Sequence, residues 1–188
     1  MDNRTNILFQ ALNLFAARGY EGVGVQEIVD AADITKPTLY HYFGSKDGLL
    51  TELLRSHFTP FLKDLQGAAE YEGDLPKTLD RVTATYFCFA KANRDFYRML
   101  LALIYAPPES QALKIASAFA KEPFLILEEL FLQASKDHGN MNGRHQMYAV
   151  TLIGMINNYI TLFLNGYIEI TEELRRQALR QFMYGIYS

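Results

Sequence analysis

A single cysteine, Cys88, stands among 188 residues, which rules out an intramolecular disulfide and any cysteine-based zinc site. A lone thiol fits a reducing compartment, and Cys88 is expected to pack as a small buried hydrophobe. A basic surplus is also missing. Lys and Arg total 18 against 21 Asp and Glu, a net charge of -3, so nothing global marks a nucleic-acid binder. The most hydrophobic stretch, YAVTLIGMINNYITLFL, is interrupted by Asn157 and Asn158. Two adjacent amides in hydrocarbon would be costly, so it reads as a buried helix and not as a membrane span. The opening MDNRTNILFQALNLF has no basic leader, long apolar stretch or small-residue cleavage site. The expectation is a cytoplasmic chain with no membrane partner.

Catalytic signatures are equally scarce. The four histidines, His41, His57, His138 and His145, form no His-Glu-x-x-His or Glu-x-x-His pattern, and no glycine loop is built to cradle a phosphate. The stretch HGNMNGRH places two histidines around a flexible loop, an arrangement commoner for plain surface residues than for a metal site. No enzyme, metal or cofactor is expected.

What the chain does have is helical periodicity. At 49% hydrophobic and 21% charged it can form an ample core. Ile7, Ala11 and Phe15, with Leu8 and Leu12, make a stripe at three- and four-residue spacing, with Asp2 or Asn3 as cap and Gly19 as terminator. Val25, Ile28, Val29 and Ala32 predict a second, short helix. Ser45 can cap a long helix through Leu49, Leu50, Leu53 and Leu54 that continues past a bend at Pro60. Further helices are predicted near 77–92, 95–105, 110–138 (one helix, or two broken at Pro123), 144–167 and 171–187, with Asp95 and Thr171 as N-caps. No strand alternation or internal repeat is present. The reading is all-α, about nine helices: a three-helix unit over 1–44 and a larger bundle over 45–188.

The segment ITKPTLYHYFGSKDGLL, residues 34–50, carries the functional signal. With Thr35 as cap and Pro37 in the first turn, Leu39 and Phe43 share one helical face and can pack inward. Thr38 and His41 point the other way, flanked by Pro37 and Tyr42, while Lys36 and Tyr40 lie to a side. A short helix after a tight turn, rooted by two residues and displaying hydroxyl, imidazole and phenol groups, is a helix-turn-helix arrangement. Such a helix can enter a major groove roughly 12 Å wide and read base edges. Hydroxyls and helix N-termini suit phosphates, and Lys46 can reach another.

The stretch FAARGYEGVGVQEIVDAADITKPTLYHYFGSKDGLL resembles the DNA-binding domain of the tetracycline-repressor (TetR/AcrR) family of bacterial transcription regulators. Phe15, Gly19-Tyr20, Ile28, Ala31-Ala32, Leu39 to Phe43, Ser45-Lys46-Asp47 and Leu49 carry it, over residues 4–55. The resemblance implies a homodimer on a near-palindromic double-stranded operator, usually as a repressor, released by a small molecule bound in the C-terminal domain. It implies that Lys36, Pro37, Thr38 and His41 face bases or the groove floor, and that Thr35, Tyr40, Tyr42 and Lys46 hold phosphates. Two positions depart from the family pattern. Gly24 replaces the Ser or Thr whose hydroxyl, in the family, caps the second helix and touches a phosphate, so one such contact is lost; Asp33 replaces the turn glycine, so Asp33 must tolerate a left-handed backbone. Residues 1–55 carry five basic groups (Arg4, Arg18, Lys36, Lys46, Arg55) against seven acidic ones, so a shallow salt dependence of DNA binding is expected.

The C-terminal part is rich in aromatics and methionines. Tyr86, Phe89, Met99, Leu103, Phe119, Met155 and Tyr159 are candidates to line a cavity for an apolar or aromatic effector, with Asn158 orienting a polar group or crossing a subunit interface. The last two helices, including Leu174, Ala178, Phe182 and Ile186 at four-residue spacing, are the candidate dimer interface. An alternative is an all-helical small-molecule binding protein whose helix-turn-helix is vestigial.

Overall fold

The computed structural model describes residues 2–185. They form nine α-helices and one 3₁₀ turn, with no strand among the described residues. In chain order these are α1 (Asn3–Arg18), α2 (Val25–Ala31), α3 (Lys36–Phe43), α4 (Lys46–Ala68), α5 (Leu75–Ala92), α6 (Arg94–Ile104), α7 (Gln111–Ala134), the 3₁₀ turn Gly139–Met141, α8 (His145–Leu164) and α9 (Glu172–Tyr184).

The caps follow from the residues at the helix ends. Asp2 accepts the Thr5 amide at 2.7 Å, satisfying one of the four free N–H groups of α1. Gly19, with φ +75°, closes that helix through its amide to the Phe15 carbonyl at 2.9 Å. At the start of α2, Glu27 reaches back to accept the Gly24 amide at 2.9 Å. Gly24 has no side chain to return the bond, so only half of a capping box exists there. The end of α2 is a Schellman motif: the Ile34 amide donates to Val29 at 3.0 Å and the Asp33 amide to Asp30 at 3.3 Å. Asp33 takes the left-handed position with φ +51°, as the sequence required of it. For an L-residue this conformation costs roughly 1–2 kcal/mol.

The chain condenses into two compact units. The first holds the residues up to Thr59 with Asn93–Ala120, and the second holds Pro60–Ala92 with the residues from Lys121 on. In the first, Ile7, Ala11, Phe15, Ile28, Leu39, Leu49, Leu50 and Leu54 are completely buried. Burial of each large side chain contributes about 1.5–3 kcal/mol. Helix α1 packs on α6 and α2, and α2 packs on α3. His57 stacks on Phe96 with ring centroids 4.2 Å apart, and Phe58 meets Phe96 and Phe119 at 5.9 and 5.7 Å.

In the second unit α5 packs against α8 and α9. Arg175 on α9 pairs with Asp80 on α5 at 2.9 Å. Arg81 donates to the carbonyls of Ala68 and Glu70, so a side chain from α5 satisfies backbone acceptors at the end of α4.

Several expectations need correction. Cys88 is exposed, because it falls on the solvent side of α5 while Val82, Tyr86 and Ala90 turn inward. Helix α6 starts one residue earlier than expected, with Asn93 as N-cap and Asp95 inside the first turn. Pro123 does not break α7, which runs through it to Ala134. Thr171 caps α9 as expected, accepting the Leu174 amide at 3.1 Å. Along α9, Ala178 is buried while Leu174 and Phe182 are half-buried; Ile186 lies outside the described residues. Helix α8 is long and apolar enough to cross a membrane by length and composition. It buries Leu152, Ile156 and Ile160 completely and leaves Met147, Val150 and Leu162 exposed.

Candidate nucleic-acid interface

Helix α3 is short, and its composition fixes which way it faces. Pro37 sits in the first turn, where no N–H is needed, and Gly44 ends the helix with φ +71°. Leu39 is fully buried and Phe43 is 9% exposed, so these two root the helix. Thr35, Lys36, Pro37, Tyr40, His41 and Tyr42 are exposed and Thr38 is half-buried. Tyr40 and Tyr42 keep 46% and 42% of their surface, high values for phenols in a folded chain. The His41 and Tyr42 rings meet edge to face at 5.4 Å, which restrains both.

Thr35 occupies the N-cap position, but its hydroxyl makes no bond to the helix backbone. It pairs instead with the Thr38 hydroxyl at 3.0 Å. The N-terminal amides of α3 are therefore uncapped by Thr35 and carry the positive end of the helix dipole.

Three contacts hold this helix in place. Asn6 on α1 donates to the Ala32 carbonyl at 2.8 Å, clamping the turn that precedes α3. Ser45 accepts the Gly48 amide at 2.9 Å and caps α4. A Cβ on Gly48 would fall 2.0 Å from the Phe43 carbonyl oxygen, so the backbones of α3 and α4 touch where no side chain fits. Beside them the Tyr20 hydroxyl donates to Asp47, and the Lys46 ammonium lies 4.0 Å from the centroid of the Tyr20 ring. Burial raises the Tyr20 pKa, with the Asp47 bond adding to it; burial lowers that of Lys46. Lys46 is thus half-buried over an aromatic face, at the edge of the exposed surface.

The charges are arranged sparingly. Arg4 pairs with Glu52, Arg18 with Glu27, and Arg55 with Glu52 at 2.7 Å. Of the five basic residues expected here, Lys36 and Lys46 stand outside these ion pairs, and Lys36, on α3, is the exposed one of the two. The residues named from the sequence for DNA contact lie on α3 or just beside it and are exposed or half-buried, while Leu39 and Phe43, the pair expected to face inward, are buried. Asn6, Tyr20, Asp47 and Gly48 went unrecognised as its supports. The glycine two residues after Lys46, early in a helix, was the one legible signal among them.

The candidate effector residues divide between the two units. Met99 and Leu103 line a cavity of about 210 Å³ in the first unit, together with Phe15 and Tyr20. Phe119, also in the first unit, is half-buried against Phe58. In the second unit Tyr86 and Phe89 both pack on Phe61, with centroids 5.0 and 4.5 Å away. Met155 and Tyr159 are half-buried and Asn158 is exposed. The Tyr86 hydroxyl is buried without a hydrogen-bond partner, and burial raises its pKa.

Residues 7–53 match the sequence model of the bacterial regulatory proteins of the tetR family. The regulator YttP of Bacillus subtilis, described as a probable HTH-type transcriptional regulator, is 30% identical over 193 residues, covering 100% of this chain and 89% of YttP. The chain belongs to the tetR family. This tetR-family protein is a DNA-binding transcriptional regulator and not an enzyme, and its helix-turn-helix is the family's. It is also similar to the HTH-type transcriptional activator FasR of Mycolicibacterium smegmatis, 26% identical over 186 residues and covering 98% of this chain and 82% of FasR. Among solved structures it resembles FadR of Bacillus subtilis in complex with stearoyl-CoA, with a TM-score of 0.81, 18% identity, and coverage of 97% of this chain and 98% of FadR. That likeness is one of fold.

Proposed function

We propose that this tetR-family regulator binds a near-palindromic operator as a homodimer, acts as a repressor, and leaves DNA when an apolar effector binds its C-terminal part. The reading rests on one observation: α3 buries Leu39 and Phe43 while presenting the opposite side, from Lys36 to Tyr42, to solvent. Lys36, Pro37, Thr38 and His41 face the bases. Thr35, Tyr40, Tyr42, Lys46 and the α3 N-terminus hold phosphates. In this division of labour residues 1–44 read DNA, and residues 45–188 carry the effector and the dimer contact.

The dimer contact is assigned to α8 and α9. Met147 and Val150 are 57% and 59% exposed and Leu162 is 40% exposed, and with Gly154 and Asn158 between them they run along one side of α8. A self-complementary pairing about a two-fold axis would cover that stripe. Reading two half-sites requires the two α3 helices to stand about 34–36 Å apart, one turn of B-DNA, or a multiple of that. An acyl chain is the effector class we favour, by analogy with the stearoyl-CoA held by FadR. An effector that prefers a different spacing weakens DNA binding by its differential affinity, typically ~1–3 kcal/mol.

The test is selection of bound DNA from a random pool, with and without stearoyl-CoA. An enriched inverted repeat supports the reading. Absence of any enriched sequence would instead favour a helical small-molecule binding protein with a vestigial helix-turn-helix. Tyr42→Ala should weaken binding to the selected repeat about tenfold and leave dimerisation intact.

A further inference from the structure

The second unit contains a cavity that none of the candidate effector residues lines. It has a volume of about 310 Å³ and lies where the start of α5, the end of α7, the 3₁₀ turn, the start of α8 and the end of α9 converge. Phe131, Tyr148 and Phe182 form an aromatic wall, with centroids 5.5 Å apart for Phe131–Tyr148 and 6.3 Å for Phe131–Phe182. Leu79 and Met141, both buried, add to the apolar lining. The polar groups are few and stand together on the connection between α7 and α8: His138 and Asn140. His138 Nε2 lies 3.5 Å from the Tyr71 hydroxyl.

Size and charge narrow what such a space can take. A dry cavity of about 150 Å³ accepts a benzene molecule. The present volume is about twice that, enough for two fused rings or a branched aliphatic body of similar bulk. Ligand pockets are mostly apolar with a small number of placed polar groups, and this cavity reaches the lower end of their usual size range, ≈ 300–1,000 Å³. None of its lining residues is Lys, Arg, Asp or Glu. The cavity is partly open to solvent, so a charged group set in it would give up part of its hydration and meet no Lys, Arg, Asp or Glu in return, a net cost. An uncharged hydroxyl, amide or carbonyl loses far less, and His138 and Asn140 can each donate to it or accept from it.

We propose that this cavity is a binding site for a compact, uncharged apolar molecule of about two rings carrying one hydrogen-bonding group. The aromatic wall holds the body of the molecule, and His138 with Asn140 hold its polar end. The site shares no residue with the candidate effector set named from the sequence. It also stands independently of the DNA-binding reading, since occupancy is measured on the protein alone.

The probe is 2-naphthol, two fused rings with one neutral hydroxyl, titrated into the full chain and followed by its fluorescence. Saturable binding of one molecule per chain is expected, and the anionic 2-naphthoate should bind at least tenfold more weakly. Met141→Trp fills the space and should weaken 2-naphthol binding at least tenfold. His138 is exposed, so His138→Ala should weaken it several-fold without moving the melting temperature; this variant keeps the test intact if Met141→Trp fails to fold. The proposal is overturned if the wild-type chain shows no saturable binding of 2-naphthol. It is overturned equally if naphthoate binds as well as naphthol, or if His138→Ala and a folded Met141→Trp both bind like the wild type. Loss of operator binding with intact 2-naphthol binding would count against the regulator reading alone.

Discussion

The α-carbon of Gly48 and the carbonyl oxygen of Phe43 approach so closely that a Cβ on residue 48 would lie 2.0 Å from that oxygen. The obstructing atom is backbone, not the movable end of a side chain, so accommodation means displacing α3 from α4. Gly48→Ala should therefore destabilise the protein by about 1–3 kcal/mol, the range of overpacked sites. It should also weaken operator binding by more than the lost stability alone would suggest. Urea denaturation and an operator titration measure the two effects. A variant as stable as the wild type, with unchanged affinity, would show that the backbone contact is not a constraint.

The opposite outcome is expected at Gly24. Its φ is -87°, and an added Cβ would meet only Glu27 Oε1 at 3.6 Å, an ordinary contact. Gly24→Ser supplies the hydroxyl that completes the capping box with the Glu27 amide. The gain in stability should be a few tenths of a kcal/mol, the usual margin between Ser and Gly at an N-cap. The hydroxyl also restores the phosphate contact implied by the family resemblance, so operator affinity should rise. A thermal melt and a DNA titration at fixed salt are sufficient, and an unchanged or lower affinity would remove this position from the phosphate contacts.

His57 should make stability depend on pH. Packed on Phe96 and half-buried, its imidazole has a pKa below the ordinary 6.5, burial being the dominant cause. The unfolded chain therefore binds a proton at a pH where the folded chain resists it. Stability from this group is fully present above about 6.5, and it falls as the pH drops from there toward the folded value. Unfolding free energies between pH 7.5 and 5 should show this decline, and His57→Phe, which keeps the stacked ring, should flatten it. An equally steep decline in the variant would assign the effect to other groups.

Lys36 should dominate the electrostatics of DNA binding. Replacing it by Ala ought to reduce the magnitude of the salt slope of log K by about one. The wild-type slope itself should be far smaller in magnitude than the value near -10 of lac repressor, because Arg4, Arg18 and Arg55 already pair with carboxylates. Operator titrations from 50 to 200 mM salt measure both. A slope as steep as that of lac repressor would mean those ion pairs open on DNA.

At Tyr86 a hydroxyl is buried with nothing to bond. An unsatisfied buried polar group costs about 1–3 kcal/mol. Tyr86→Phe removes the orphan atom and keeps the ring against Phe61, so the melting temperature should rise. If the hydroxyl receives a polar group of the effector, the same variant should bind that effector less tightly. Unchanged stability would mean that the hydroxyl is satisfied in solution.

The helix-turn-helix was legible because most of the local signals in and around α3 agreed. Thr35, Pro37, Leu39, Phe43 and Gly44 each mark one helical position, and the family's turn glycine at the place of Asp33 implied its left-handed backbone. What could not be read came from atoms far apart in sequence. Nothing near Arg81 announces that its guanidinium would close the end of α4. Lys46 looked like a free cation until Tyr20, 26 residues earlier, appeared beneath it. The exposed side of Cys88 depended on the rotational phase of α5, which apolar residues on several sides left ambiguous. The cavity beside Phe131 and Phe182 was out of reach for the same reason, since five separate chain segments line it.

The ion pairs that occupy Arg4, Arg18 and Arg55 bear on how such a regulator would search a genome. Sliding along arbitrary sequence depends on a cushion of loosely held cations, and this head keeps few in reserve. It would reach its target mainly by repeated collisions from solution, leaving the chromosome after each brief miss. Little of it would be stored on arbitrary sequence, so occupancy of the target would rest on the base contacts of α3.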